Sequence, residues 1–182
     1  MQLVPDTTHA IRFQATLRRP GGADKGADWT FLNLPQDASD QLPSRGLVSV
    51  QGTLDGTPFQ ATLQPDGQGG HWLKVPAELS VKAGETVVLA IAPMAEEPEP
   101  EVPEDLRLAL EAADAKAREV WAKITPLARR DWIHWIVSPK KAETRAKRIE
   151  SACDMLAKGK RRPCCFDRSG MYSNSLCPPV PE

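Results

Sequence analysis

The chain has 182 residues, 41% of them hydrophobic, and a formal net charge of −1 at neutral pH. That length suits two small domains with packed cores, and no stretch approaches the roughly 20 apolar residues of a membrane-spanning helix. The charge is uneven: residues 1–102 carry 7 Lys+Arg against 13 Asp+Glu, and residues 103–182 carry 16 against 11, a split that fits either mutual attraction of the halves or an anionic partner for the second.

From Thr8 to Arg18 the residues alternate, with His9, Ile11, Phe13, Ala15 and Leu17 on one face, as in a half-buried strand. Pro20-Gly21-Gly22 ends it. Trp29–Leu34 is a second short strand, followed by a polar loop through Ser44. Leu47–Leu54 and Thr57–Gln64 flank Asp55-Gly56, the strongest hairpin signal in the chain. His71–Pro76 and Thr86–Ala92 complete about six strands with tight turns and no helix, an all-β barrel or sandwich. His71 and Trp72 stand beside the Gly-rich turn 65–70. They line a pocket in one reading; a loop-edge histidine and a core-capping tryptophan are the alternative.

Residues 94–103 alternate proline and glutamate and read as a semi-stiff, solvated spacer. Helical periodicity follows. Leu106, Leu110 and Ala113 mark one helix, and Ala117, Val120, Trp121 and Ile124 the next. Thr125-Pro126 reads as N-cap and first residue of a third helix. There Leu127, Trp132, Ile133, Trp135, Ile136 and Val137 cover most of the circumference, and Arg130, Asp131, His134 and Ser138 share the polar face. Trp132 and Trp135 read as core, with a base-stacking platform as the sharper alternative. Ser138-Pro139 repeats the cap-and-proline device to open a fourth helix, with an apolar stripe of Ala142, Ala146, Ile149, Cys153 and Leu156. Glu143–Lys147 and Asp154–Lys158 are i,i+4 pairs in the favourable order. Arg145 lies at the stripe's margin, where a cation must pair or snorkel, with Asp131 or Glu143 as structural partner or an anionic ligand instead. Gly159 ends the helix.

The expected class is therefore α+β: a small all-β domain (1–93), the Pro/Glu spacer (94–103), a helical bundle (104–158) and an irregular tail (159–182), in a protein kept in the cytoplasm. The start, MQLVPDTTHAIRFQ, lacks the basic-then-apolar pattern of a secretory signal. Cys153, Cys164, Cys165 and Cys177 are then thiols. They lack paired ligand spacing, so no metal is expected, and Lys160, Arg161 and Arg162 make Cys164-Cys165 the candidate thiol site. Three histidines in separate segments, without a nucleophile or phosphate-loop motif, speak against an enzyme and imply no cofactor. The candidate surface for an unknown protein or anionic partner is Arg129, Arg130, Lys140, Lys141, Arg145 and Arg148. Nucleic acid is the less favoured partner class, since the i,i+4 pairs mark a salt-bridged face.

Two stretches resemble known families. VPEDLRLALE followed by ITPLARRDWIHWIVSPKKAETRAKRIESACDML resembles the YdeI/OmpD-associated (OmdA, bacteriocin-protection) family, over about residues 103–158. WTFLNLP and GLVSVQGTLDGTPFQATLQPDGQGGHWLKVPAELSVKAGETVVLAI resemble the small β-domain of unknown function that often precedes it. The resemblance implies a bacterial protein with a double-split β-barrel of the AbrB/MazE class ahead of a helical domain. It brings a link to bacteriocin or envelope-stress protection, and no catalytic motif.

Overall fold

The computed structural model describes residues 10–22, 26–163, 178, 179 and 181. They divide into two compact units, with the chain passing from the first to the second between Ala95 and Glu96.

The first unit is an antiparallel sheet of β1 (Ile11–Thr16), β2 (Phe31–Asn33), β3 (Val48–Leu54), β4 (Thr57–Pro65), β5 (His71–Lys74) and β6 (Thr86–Pro93), in the order β1-β6-β3-β4-β5-β2. Just past β1, Arg18 and Phe31 exchange both backbone hydrogen bonds, at 2.8 and 2.9 Å, which brings the two edge strands together. The result is a nearly closed, barrel-like sheet, and closure removes the exposed edges that invite aggregation. Period-two alternation sends Val87, Leu89 and Ile91 of β6 inward with Ile11, Leu32, Val50, Leu63 and Leu73, and leaves Val88 outside.

The hairpin signal is borne out. Asp55 and Gly56 both have positive φ, 48° and 84°, as a type I′ turn requires. Asp55 also accepts from the Val88 N–H through Oδ1 at 2.8 Å, fixing the hairpin tip to β6. The polar loop expected after β2 is partly helical instead: α1 (Gln36–Ser39) forms one turn there. Ser39 Oγ accepts from the His71 N–H at 3.1 Å, so buried backbone near β5 is satisfied by this turn.

The second unit holds α2 (Glu104–Ala112), α3 (Ala115–Lys123), α4 (Pro126–Val137) and α5 (Ala142–Ala157). Leu106, Leu110, Ala117, Val120, Ile124, Trp132, Ile136, Ile149 and Leu156 form its core. Thr125 caps α4 as expected, accepting from the Ala128 N–H at 3.2 Å. Gly159, at φ 84°, ends α5 with Lys160 N–H donating to Met155 O at 3.0 Å, a Schellman closure.

Ser138-Pro139 does not open α5. Ser138 ends α4 by donating its hydroxyl to Trp135 O at 3.2 Å, and α5 begins at Ala142. A serine hydroxyl can serve either helix end, and here it bonds backwards. The buried stripe of α5 is also rotated from the expected one: Ala142 and Ala146 are exposed, while Ile149, Ala152 and Leu156 face inward.

Candidate functional site

Four successive residues of α4 organise the helical unit. Helical geometry turns side chains 129–132 in four directions, and each finds a different partner. The Arg129 guanidinium donates to Ile124 O at 2.6 Å and Trp121 O at 3.1 Å, capping the carbonyl end of α3 where a cation is favoured. Its other edge meets Glu99, with Nη2 donating at 2.7 Å and Nε 2.7 Å from the second oxygen. Arg130 is 4% exposed and donates to Glu97 at 2.9 Å and to Asp131 at 3.3 Å. Asp131 is fully buried and also accepts from Arg162. Trp132 Nε1 donates to Arg161 O at 3.0 Å. One turn of α4 thus grips the chain before α2 and the chain after α5.

This corrects two expectations. Arg130 and Asp131 were expected to share a polar face, and Arg130 to belong to a partner surface; both side chains are buried. Their mutual pairing offsets the cost of burying charge. Glu97 and Glu99 were expected in a solvated spacer; they are docked on α4. His134, one turn beyond Arg130, has its pKa lowered to about 4, first by burial and then by the Arg130 charge, against the opposing pull of Asp131. It is neutral at pH 7.

The other cations of the expected surface divide. Arg145 forms a two-pronged bond to Asp105 of α2, Nε at 2.8 Å and Nη2 at 3.0 Å. That pairing holds the Asp105 carboxyl below the usual carboxylate range, the hydrogen bonds being the largest cause. The partner is Asp105, where Asp131 or Glu143 was expected. Arg148 donates to Trp135 O at 2.5 Å and to Ser138 Oγ at 3.0 Å, with its guanidinium 5.2 Å from the Trp135 ring centre. Lys140 and Lys141 stand exposed in the α4–α5 connection.

Trp132 is wholly buried and meets Trp135 edge-on at 6.1 Å, so its ring presents no face for a stacked base. His71 and Trp72 lie in the sheet unit, both buried; His71 Nε2 bonds Gly46 O at 3.0 Å and Trp72 packs edge-on against Phe31 at 6.1 Å. A cleft of about 320 Å³ in this unit is lined by Arg19, Trp29, Val75, Ser80 and Lys82 among others, and not by His71 or Trp72. No motif in the sequence pointed to it. Burial raises the Cys153 thiol pKa, making it a poor nucleophile at neutral pH. Cys164, Cys165 and Cys177 lie outside the described residues.

Comparison with known families settles what the helices are. Residues 99–159 match the family described as bacteriocin-protection, YdeI or OmpD-associated. The helical domain is an OmdA domain. Residues 13–91 match a domain of unknown function, DUF1905, so the chain joins a DUF1905 domain to an OmdA domain. No curated protein matches the chain. Glu97 lies just before the OmdA match, and Arg161 and Arg162 just after it. The α4 grip therefore extends beyond the family match on both sides. No helix among the described residues is long and apolar enough to cross a membrane.

Proposed function

We propose that this protein is a non-enzymatic cytoplasmic adaptor of the YdeI/OmpD-associated type, acting in bacteriocin or envelope-stress protection, whose OmdA domain binds an acidic protein partner. The observation that supports this is the exposure of the adjacent Lys140 and Lys141 between α4 and α5. Two adjacent lysines on an exposed connection attract a carboxylate-rich surface and speed its encounter. The DUF1905 domain carries the AbrB/MazE-like barrel implied by its resemblance.

The test measures binding of the full chain to poly-glutamate, duplex DNA and single-stranded RNA across a range of salt. The adaptor reading expects poly-glutamate binding that Lys140→Glu/Lys141→Glu abolishes, with nucleic acids bound more weakly. Tight nucleic-acid binding with a steep salt slope replaces this reading with that of a nucleic-acid-binding regulator.

A further inference from the structure

We propose that Arg129 and Arg130 form a docking site for extended acidic protein segments, which the chain fills in cis with its own Glu97-Pro98-Glu99. This site is separate from Lys140 and Lys141, and the proposal goes beyond the adaptor reading.

The receptor is built before any partner arrives. Arg129 is held from behind by the Ile124 and Trp121 carbonyls, and Arg130 by the buried Asp131 carboxylate. Both guanidinium groups therefore keep one edge turned toward residues 97–99, and their planar forks suit carboxylates. Little side-chain entropy is left to lose when an anion docks.

The occupant has the character of a bound peptide. Residues 94–103 form no helix or strand, and their prolines favour an extended backbone. In such a threefold backbone, side chains two residues apart point about 120° from each other, close to the roughly 100° between adjacent positions of an α-helix. Glu97 and Glu99 accordingly reach the adjacent arginines at 2.9 and 2.7 Å. The Glu97 side chain is mostly covered, whereas that of Glu99 is 58% exposed, so the segment is anchored at one residue and exchangeable at the next. The partner fitting this site carries two acidic residues spaced i,i+2 on an extended, proline-flanked stretch.

A tethered segment competes at an effective concentration in the millimolar range. A short peptide of Kd about 0.1 mM would then bind wild-type protein about tenfold more weakly than protein whose cis segment is disabled.

The experiment titrates a fluorescently labelled peptide of residues 95–103 with the full chain at low salt. The expected result is about tenfold tighter binding to Glu97→Gln/Glu99→Gln than to wild type. Adding Arg129→Gln on that background should remove binding, and a peptide with glutamines at the two positions should not bind. Thermal melts establish that each variant is folded. If the double variant is not, Glu99→Gln alone is used, because its exposed carboxylate can be removed with little effect on folding. A folded variant that binds the peptide no more tightly than wild type, or tightly without Arg129, overturns the proposal. Lys140→Glu/Lys141→Glu should retain peptide binding, so this site and the adaptor surface fail independently.

Discussion

Arg145 holds Asp105 across 40 residues of sequence, with Nε and Nη2 each on a separate carboxylate oxygen at 2.8 and 3.0 Å. The pair joins α5 to α2 at a half-exposed position. Solvent screening limits it, and Asp105→Asn should cost about 0.5–1 kcal/mol in urea unfolding. The sign of its pH dependence follows from the lowered Asp105 pKa. The carboxylate contributes stability above its unfolded pKa and loses it as pH falls through the lower folded value, so the effect is confined below about pH 4. Asp105→Asn should therefore narrow its gap from wild type as the pH approaches 2.

His134 acts in a different window. Its folded pKa of about 4 lies below the ordinary 6.5, so the unfolded chain takes up a proton first. Stability is complete above about pH 6.5 and declines as the pH falls toward 4, by up to about 3 kcal/mol. His134→Gln should flatten the stability profile between pH 6.5 and 4 while leaving the region below pH 4 to the carboxylates. Denaturant melts at pH 7 and pH 5 check this, and the His134 ring protons followed by NMR should show no titration down to about pH 5.

Asp131 separates interior from surface electrostatics. It is fully buried and accepts from Arg130 and Arg162. Asp131→Ala takes one carboxylate from the buried Arg130, which keeps its bond to Glu97, and should cost about 1–3 kcal/mol. A small domain has only about 5–15 kcal/mol in total. Replacing both members, as Asp131→Leu/Arg130→Met, should recover part of that loss by removing both buried charges, offset by the Glu97 bond that goes with Arg130. Equilibrium unfolding of the single and double variants measures the coupling. An additive result would show that the two residues do not act as a pair.

Local chemistry in the sequence was a good guide at four places where the physics is local. Asp55-Gly56, Thr125-Pro126, Gly159 and the Glu143–Lys147 pair each depend on neighbours within about five positions, and each is found as expected. The site was less legible because its partners are remote. Glu97 and Glu99 have the same local composition whether solvated or docked, and only the folded position of α4, about 30 residues on, decides between them. Arg145 was recognisable as a cation needing a partner, but nothing local singles out Asp105. Ser138-Pro139 failed for another reason. The hydroxyl satisfies a carbonyl behind it as readily as an N–H ahead of it, and Arg148 donating to the same Ser138 Oγ, at 3.0 Å, favours the backward bond.

Gly52 carries a constraint that no periodicity argument exposes. It sits in the middle of β3, opposite Ile91 of β6, where glycine weakens a strand unless another backbone must approach closely. Here one does. A Cβ added at Gly52 would come within 2.0 Å of Ala90 O and 2.8 Å of Ile91 Cα, both backbone atoms that cannot rotate away. Gly52→Ala must therefore push β3 and β6 apart at the centre of the sheet. The cost should be about 1–3 kcal/mol or more, with weakened hydrogen-exchange protection along both strands. Gly56→Ala, by contrast, meets open space but must hold φ at 84°; its cost should be about 1–2 kcal/mol of backbone strain with the ladder intact. If Gly52→Ala matched wild type in melting temperature and exchange, the close β3–β6 approach would not exist in solution.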